Sequence, residues 1–216
     1  MSVVRSQLRR PGCSEASQLA HWRSWLVDSL HRCQHSLAGV LHTGVVWVML
    51  VAACNPPAQA QVAAEYDVKA AILLNVTRFV TWPTEAFLNA EAPLAVCVVG
   101  RDPFGMVLDQ IMEGETANGR PIVVERLQRG SPRLTDCHLA FVSASERRVV
   151  DEIVREVADS AVLTMADFEG FAASGGVIEL RIENSQIRFY ISRAAARRAQ
   201  LELSSNLLNL ARLVGE

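Results

Sequence analysis

Histidine, lysine and tyrosine are scarce in this chain of 216 residues: five, one and two respectively, with aromatics only 6% of the whole. Four of the five histidines (His21, His31, His35 and His42) fall in the first 42 residues, and only His138 lies beyond them. The metal-like string His31-Arg32-Cys33-Gln34-His35 therefore belongs to the N-terminal segment rather than to a folded domain. Also missing are the glycine-lysine loop of phosphate binders, a GxGxxG opening a helix, HExxH and GxSxG. Those absences remove the familiar nucleotide-binding, zinc-hydrolase and serine-hydrolase patterns. Gly175-Gly176 leads into an apolar strand rather than a helix, so its amides do not head a helix dipole for a phosphate. His138 as a lone general base is weaker than His138 as a structural residue at a strand start. No site for a metal or cofactor is expected.

No apolar run reaches the roughly 20 residues that a membrane-crossing helix needs. The longest candidate, within residues 37–60, is interrupted by His42 and Thr43. It instead has the order of a secretory signal: Arg23 and Arg32 ahead, an apolar stretch over residues 45–53, then Ala58-Gln59-Ala60. Residues 1–60 thus read as a leader with a long charged region. Cleavage after Ala60 would release a chain starting at Gln61. Val51-Ala52-Ala53-Cys54 also fits a lipobox, in which Cys54 carries the lipid, and the soluble form is the preferred reading.

From Gln61 onward there are sixteen basic residues against twenty-one acidic ones, a net charge of −5. No basic run offsets that balance, so nucleic acid is not an expected partner. Two cysteines remain, Cys97 and Cys137. An even pair in an oxidising compartment reads as one disulfide, with two buried thiols as the alternative. Cys97 lies in the apolar run Leu94-Ala95-Val96-Cys97-Val98-Val99, and Cys137 precedes His138-Leu139-Ala140-Phe141-Val142. If those runs are neighbouring strands, about 4.8 Å apart, the cysteines fall within bridging reach.

Apolar spacing at Val68, Ile72, Val76 and Phe79 predicts a helix over residues 65–80, stopped by Trp82-Pro83. Strands are expected at 94–99, 121–125, 138–142 and 160–164, with helices at 102–112 and from Ser145. Residues 177–181 and 187–191 alternate as a hairpin around Glu183-Asn184-Ser185-Gln186. Residues 192–213 read as one or two helices with Leu203, Leu207 and Leu210 on one face. Continuous apolar strands alternating with amphipathic helices predict a single three-layer α/β domain over residues 61–216. Its sheet is mostly parallel, is covered by helices and carries an edge β-hairpin. Trp82, Phe168 and Phe171 sit at element ends or in loops, where aromatics either anchor a partner or cap the core.

One sequence family shares this order of residues. Lys69-Ala70-Ala71 running into Phe79-Val80-Thr81-Trp82-Pro83 resembles the N-terminal signature of the YfiR-like family (DUF4154). Val96-Cys97-Val98-Val99-Gly100, Asp102-Pro103-Phe104-Gly105, Asn118-Gly119-Arg120-Pro121 and Asp136-Cys137-His138-Leu139 follow in the family's order. Gly170-Phe171, Gly175-Gly176, Ile187-Arg188-Phe189 and Ala195-Ala196-Arg197-Arg198-Ala199 complete the series. The resemblance implies a small periplasmic protein without catalytic activity. It implies repression of a membrane diguanylate cyclase through that enzyme's periplasmic sensor region, and sequestration by an OmpA-like outer-membrane lipoprotein. Cys97 and Cys137 match the family's cysteine pair, whereas Ala172, Ala173 and Ser174 stand where a second pair would be. Partner contacts are implied in the C-terminal half, with Phe171 and Glu183 as candidate contacts and Trp82 next. A homodimer stands among the partner expectations. A periplasmic small-molecule-binding protein is the alternative, and an enzyme the weakest reading.

Overall fold

The computed structural model describes residues 58–215. Cys54 and the rest of the leader up to residue 57 lie outside them. The N-terminal helix α1, Ala58–Arg78, packs Ala70, Leu73, Val76 and Thr77 into the core. The face anticipated from the sequence is met only in part: Val76 is buried and Ile72 packs partly buried, but Val68 and Phe79 are 53% and 38% exposed. The helix is rich in Ala, Leu and Val around much of its circumference, so several stripes of period 3.6 can be drawn. Contact with the sheet selects among them.

Beyond α1 come β1 (Val80–Thr81), β2 (Leu94–Val99), α2 (Met106–Met112), β3 (Thr116–Ala117), β4 (Arg120–Leu127) and β5 (Leu139–Val142). Next are α3 (Val150–Glu156), β6 (Leu163–Ala166), β7 (Ile178–Glu183) and β8 (Gln186–Ile191). The chain closes with α4 (Arg193–Arg198), β9 (Glu202–Leu203), α5 (Ser205–Asn209) and β10 (Ala211–Leu213). Eight strands form one sheet in the order β10-β8-β7-β6-β5-β2-β4-β3, and β1 pairs with β9 in a separate ladder. The pairs β2–β4, β2–β5, β5–β6, β6–β7 and β8–β10 are parallel, while β7–β8 and β3–β4 are antiparallel. This is the mostly parallel α/β arrangement that the alternation of apolar strands and amphipathic helices predicts.

Helices lie on both faces. Leu108 and Met112 of α2, with α1 and α4, enclose one apolar cluster around Leu94, Val96, Leu139 and Phe141. Ile153 and Val154 of α3 enclose a second around Cys97, Val99, Ala140 and Phe171. All four residues of β5 are buried, as a strand covered on both faces must be. Burying each large side chain here contributes about 1.5–3 kcal/mol.

Several boundaries differ from the sequence reading, among them α2, which begins at Met106 rather than residue 102, and α3, which begins at Val150 rather than Ser145. β6 begins at Leu163 rather than at residue 160, because pairing of Leu139 with Leu163 sets its register. Residues 192–213 break into two short helices and two strands rather than continuous helix. α4 ends at Arg198, Gln200 just beyond it takes a positive φ of 56°, and Ser204 then caps α5 by accepting the Leu207 amide. Leu207 is buried, but Leu210 is 69% exposed, so these leucines do not share a core face. β10 also adds itself beside β8, which places the β7–β8 hairpin one strand in from the edge. The hairpin turn is tight: Asn184 and Ser185 have φ of 51° and 61°, the left-handed pair that suits a two-residue connection.

Candidate functional site

The carboxyl ends of the parallel strands come first, because open α/β sheets bind ligands where adjacent strands send their helices to opposite faces. That switch falls between β2, which leads to α2 on the first cluster, and β5, which leads to α3 on the second. Here the chain fills the crevice itself. Gly100, at φ 89°, lies so close to the turn after β5 that a Cβ would stand 2.6 Å from both Ser145 Oγ and Glu146 Cγ. The Arg101 amide donates to Ser145 Oγ at 3.0 Å, and that hydroxyl donates to Glu146 Oε1 at 2.9 Å. Polar atoms at the switch point are spent on one another.

Beside it, at the end of β6, lies a buried ionic cluster. The chain's single lysine, Lys69 of α1, reaches Asp167 Oδ2 at 2.5 Å and also pairs with Glu65. The Lys69 and Asp167 side chains are each 4% exposed. The ammonium sits 4.3 Å from the centre of the Tyr66 ring, which meets Phe104 edge-on at 5.4 Å. Burial, then the Asp167 carboxylate, pushes the Tyr66 phenol far above its ordinary value, so it is a hydrogen-bond donor here. With a cation, two anions and a neutral phenol satisfying each other, the cluster is a tie between α1 and the sheet rather than a reaction centre. Among the described residues no group of three or more His, Cys, Asp or Glu is placed to hold a metal.

A third region is the C-terminal corner. Glu179, fully buried, accepts the Ala172 amide at 3.0 Å and pairs with Arg181. Further along the same face Tyr190 lies 4.0 Å from the Arg181 guanidinium and 5.6 Å from that of Arg212. The Tyr190 hydroxyl donates to Glu183, whose other oxygen is 3.0 Å from Arg212 Nη1. The tyrosine hydrogen bond, reinforced by Arg212, holds the Glu183 carboxyl below its usual range. The opposite face of this corner is apolar, with Ile182 and Leu213 53% and 42% exposed.

Residues 66–212 match the YfiR/HmsC-like family, DUF4154. The chain belongs to this family. It is a periplasmic and regulatory family, not a catalytic one. No curated protein matches significantly. Among solved structures, a conserved domain protein from Vibrio cholerae O1 biovar El Tor strain N16961 aligns with TM-score 0.45 and 8% identity. That alignment covers 56% of this chain and about half, 55%, of the other. No helix among the described residues is long and apolar enough to cross a membrane.

Within this YfiR/HmsC-like domain the residues singled out from sequence meet different fates. Cys97 and Cys137 form a disulfide inside the second apolar cluster, with Cα atoms 6.0 Å apart and residues 1% and 3% exposed. Phe171 and Trp82 do not stand on the surface. Phe171 is 0% exposed, set edge-on to Phe168 at 5.6 Å. Trp82 is 6% exposed, and its indole N–H donates to the His138 carbonyl at 3.0 Å. Both lie in connecting segments, which the sequence shows, but those segments fold back over the sheet, which it does not. Glu183 is at the hairpin turn, within the Tyr190–Arg212 network. Cys54 lies outside the described residues. Sequence reasoning missed Tyr190 and Arg212, although the period-two polar run Glu179, Arg181, Glu183 and Gln186, Arg188, Tyr190 marks one face of the hairpin.

Proposed function

We propose that this protein is an exported, non-enzymatic regulator that binds the periplasmic sensor region of a membrane diguanylate cyclase and lowers cyclic-di-GMP synthesis. The carrying observation is the family match across residues 66–212. A disulfide buried in the core suits an oxidising compartment. Repression follows from differential affinity: a protein that binds the inactive state of the sensor region more tightly shifts the enzyme toward it. An OmpA-like outer-membrane lipoprotein that competes for the same surface would release the cyclase.

The contact surface in this reading is the C-terminal corner. Glu183, Tyr190 and Arg212 form a polar face around an aromatic ring, with Ile182 and Leu213 exposed on the other side of the sheet. An aromatic flanked by arginines is the composition that interface hot spots favour. The test is cellular cyclic-di-GMP in a deletion strain, complemented by the wild type or by Tyr190→Ala/Arg212→Ala, with co-purification of the cyclase. Deletion should raise cyclic-di-GMP, the wild type should restore it, and the variant should accumulate yet fail to restore it. No change on deletion would overturn the regulatory reading, and full restoration by the variant would move the contact elsewhere.

A further inference from the structure

His138 immediately precedes β5, and both of its ring nitrogens are engaged by main chain. Nδ1 accepts the Ala95 amide at 3.0 Å. A ring nitrogen accepts only when it carries no proton, so the proton resides on Nε2, which donates to the Ala86 carbonyl at 3.1 Å. The ring stacks on Phe87 at 4.3 Å with planes 17° apart, and Phe87 also carries the Arg120 guanidinium at 3.7 Å. Segment 83–92 is thereby fastened to the sheet through Ala86 and Phe87 by a ring whose seat, set by the Ala95 amide, requires it to be neutral. At its tip Leu88 is 99% exposed. A cavity of about 280 Å³ lies on one side of this latch, lined by Glu85, Asp136, His138 and Gln200. Another of about 350 Å³ lies on the other, lined by Trp82, Phe87, Asn118 and Arg120.

We propose that His138 is an acid-released latch: protonation sets Nδ1–H against the Ala95 N–H, donor to donor, which turns the ring out of its seat, breaks the Nε2–H bond to Ala86 and the stack on Phe87, and so frees segment 83–92 from the sheet. The charged groups facing the ring are Arg120 from β4, which opposes a second positive charge, and Glu85 and Asp136 in the turns beside the cavity, which favour it. Both carboxylates are in exposed residues, so solvent screens their help. Burial pushes the imidazole below its ordinary value and Arg120 adds to this, while the Ala86 carbonyl acts the other way. In the open segment the ring regains an ordinary pKa of about 6.5. Above that pH the latch is fully closed. Below it the open form gains the proton first, and its population rises about tenfold per pH unit until the latched ring itself titrates.

The experiment is residue-resolved amide hydrogen exchange on the protein purified after export from its full-length chain, corrected for intrinsic exchange rates. Opening at Ala95 and residues 84–90 should increase roughly tenfold or more from about pH 7.5 to about pH 5, with Val98 and Ala140 unchanged. His138→Asn keeps an acceptor near the Nδ1 position and cannot take the proton, so the pH step should vanish. A flat Ala95 profile in the wild type, or a step that survives in His138→Asn, overturns the latch. Should that variant not fold, the wild type decides: the rise must begin at about pH 6.5 and level off where the His138 ring titrates by NMR, and a rise unrelated to that titration overturns the latch.

Discussion

Replacing Phe171 with alanine separates a core aromatic from a surface anchor. The ring is fully buried in the second cluster, against Phe168 and the backbone of Gly176. A Cβ on Gly176 would stand 2.2 Å from the Phe171 ring, so that glycine exists to let the ring in. The loop that carries Phe171 is also pinned: Gly176 N–H donates to the Phe171 carbonyl at 3.0 Å, and the Ala172 amide donates to buried Glu179. Pinned backbone cannot collapse into the space the ring leaves, which places the loss in the usual range for such truncations, about 3–5 kcal/mol. Set against a total stability of roughly 5–15 kcal/mol, that is about a fifth or more. At about 2–4 °C per kcal/mol for a domain of this size, Tm should fall by on the order of 10 °C. Urea unfolding followed by far-UV circular dichroism measures the change, with an unaltered denaturant slope showing that the native state keeps its compactness. A loss below about 1 kcal/mol, the level of ordinary surface changes, would refute the reasoning and return Phe171 to the surface.

Cys97→Ser should cost about 2–5 kcal/mol, and reductant should destabilise the wild type but not the variant, read by thermal melting. Lys69→Ala leaves Asp167 buried without its cation and should cost about 3–5 kcal/mol, whereas Lys69→Met with Asp167→Leu should recover most of that loss in the same urea assay. Gly100→Ala combines a φ of 89° with crowding against Ser145 and Glu146; it should lose about 1–3 kcal/mol, and calorimetry tests this. Tyr190→Ala/Arg212→Ala touches half-exposed and exposed residues and should shift stability by at most about 1 kcal/mol. That small shift makes a loss of repression interpretable.

Much of the architecture is legible in the sequence because it is written in local periodicity. Leu94 to Val99 is an uninterrupted apolar run, and it forms an interior strand with the bounds that run suggests. Ile178 to Glu183 and Gln186 to Ile191 alternate around a two-residue polar turn, and they pair as a hairpin. The cysteine pair is legible for a different reason: two cysteines in neighbouring apolar runs have few other partners. Exposure of Phe171 and Trp82, by contrast, is not a property of their segments. Each becomes core only through tertiary packing, Phe171 against the second cluster with Glu179 tying down the 171–175 loop, and Trp82 with its indole received by His138, fifty-six residues on. The face of α1 was likewise open, since a helix with apolar residues around much of its surface has no intrinsic inside. Lys69 shows this most clearly. Nothing near it in the sequence names its main partner, and only the arrival of Asp167, ninety-eight residues on, makes it a buried ion pair. Local pattern determines which elements form, because backbone hydrogen bonding and side-chain period act over a few residues. Which side chain is buried, and with what partner, is a long-range fact that belongs to the tertiary structure.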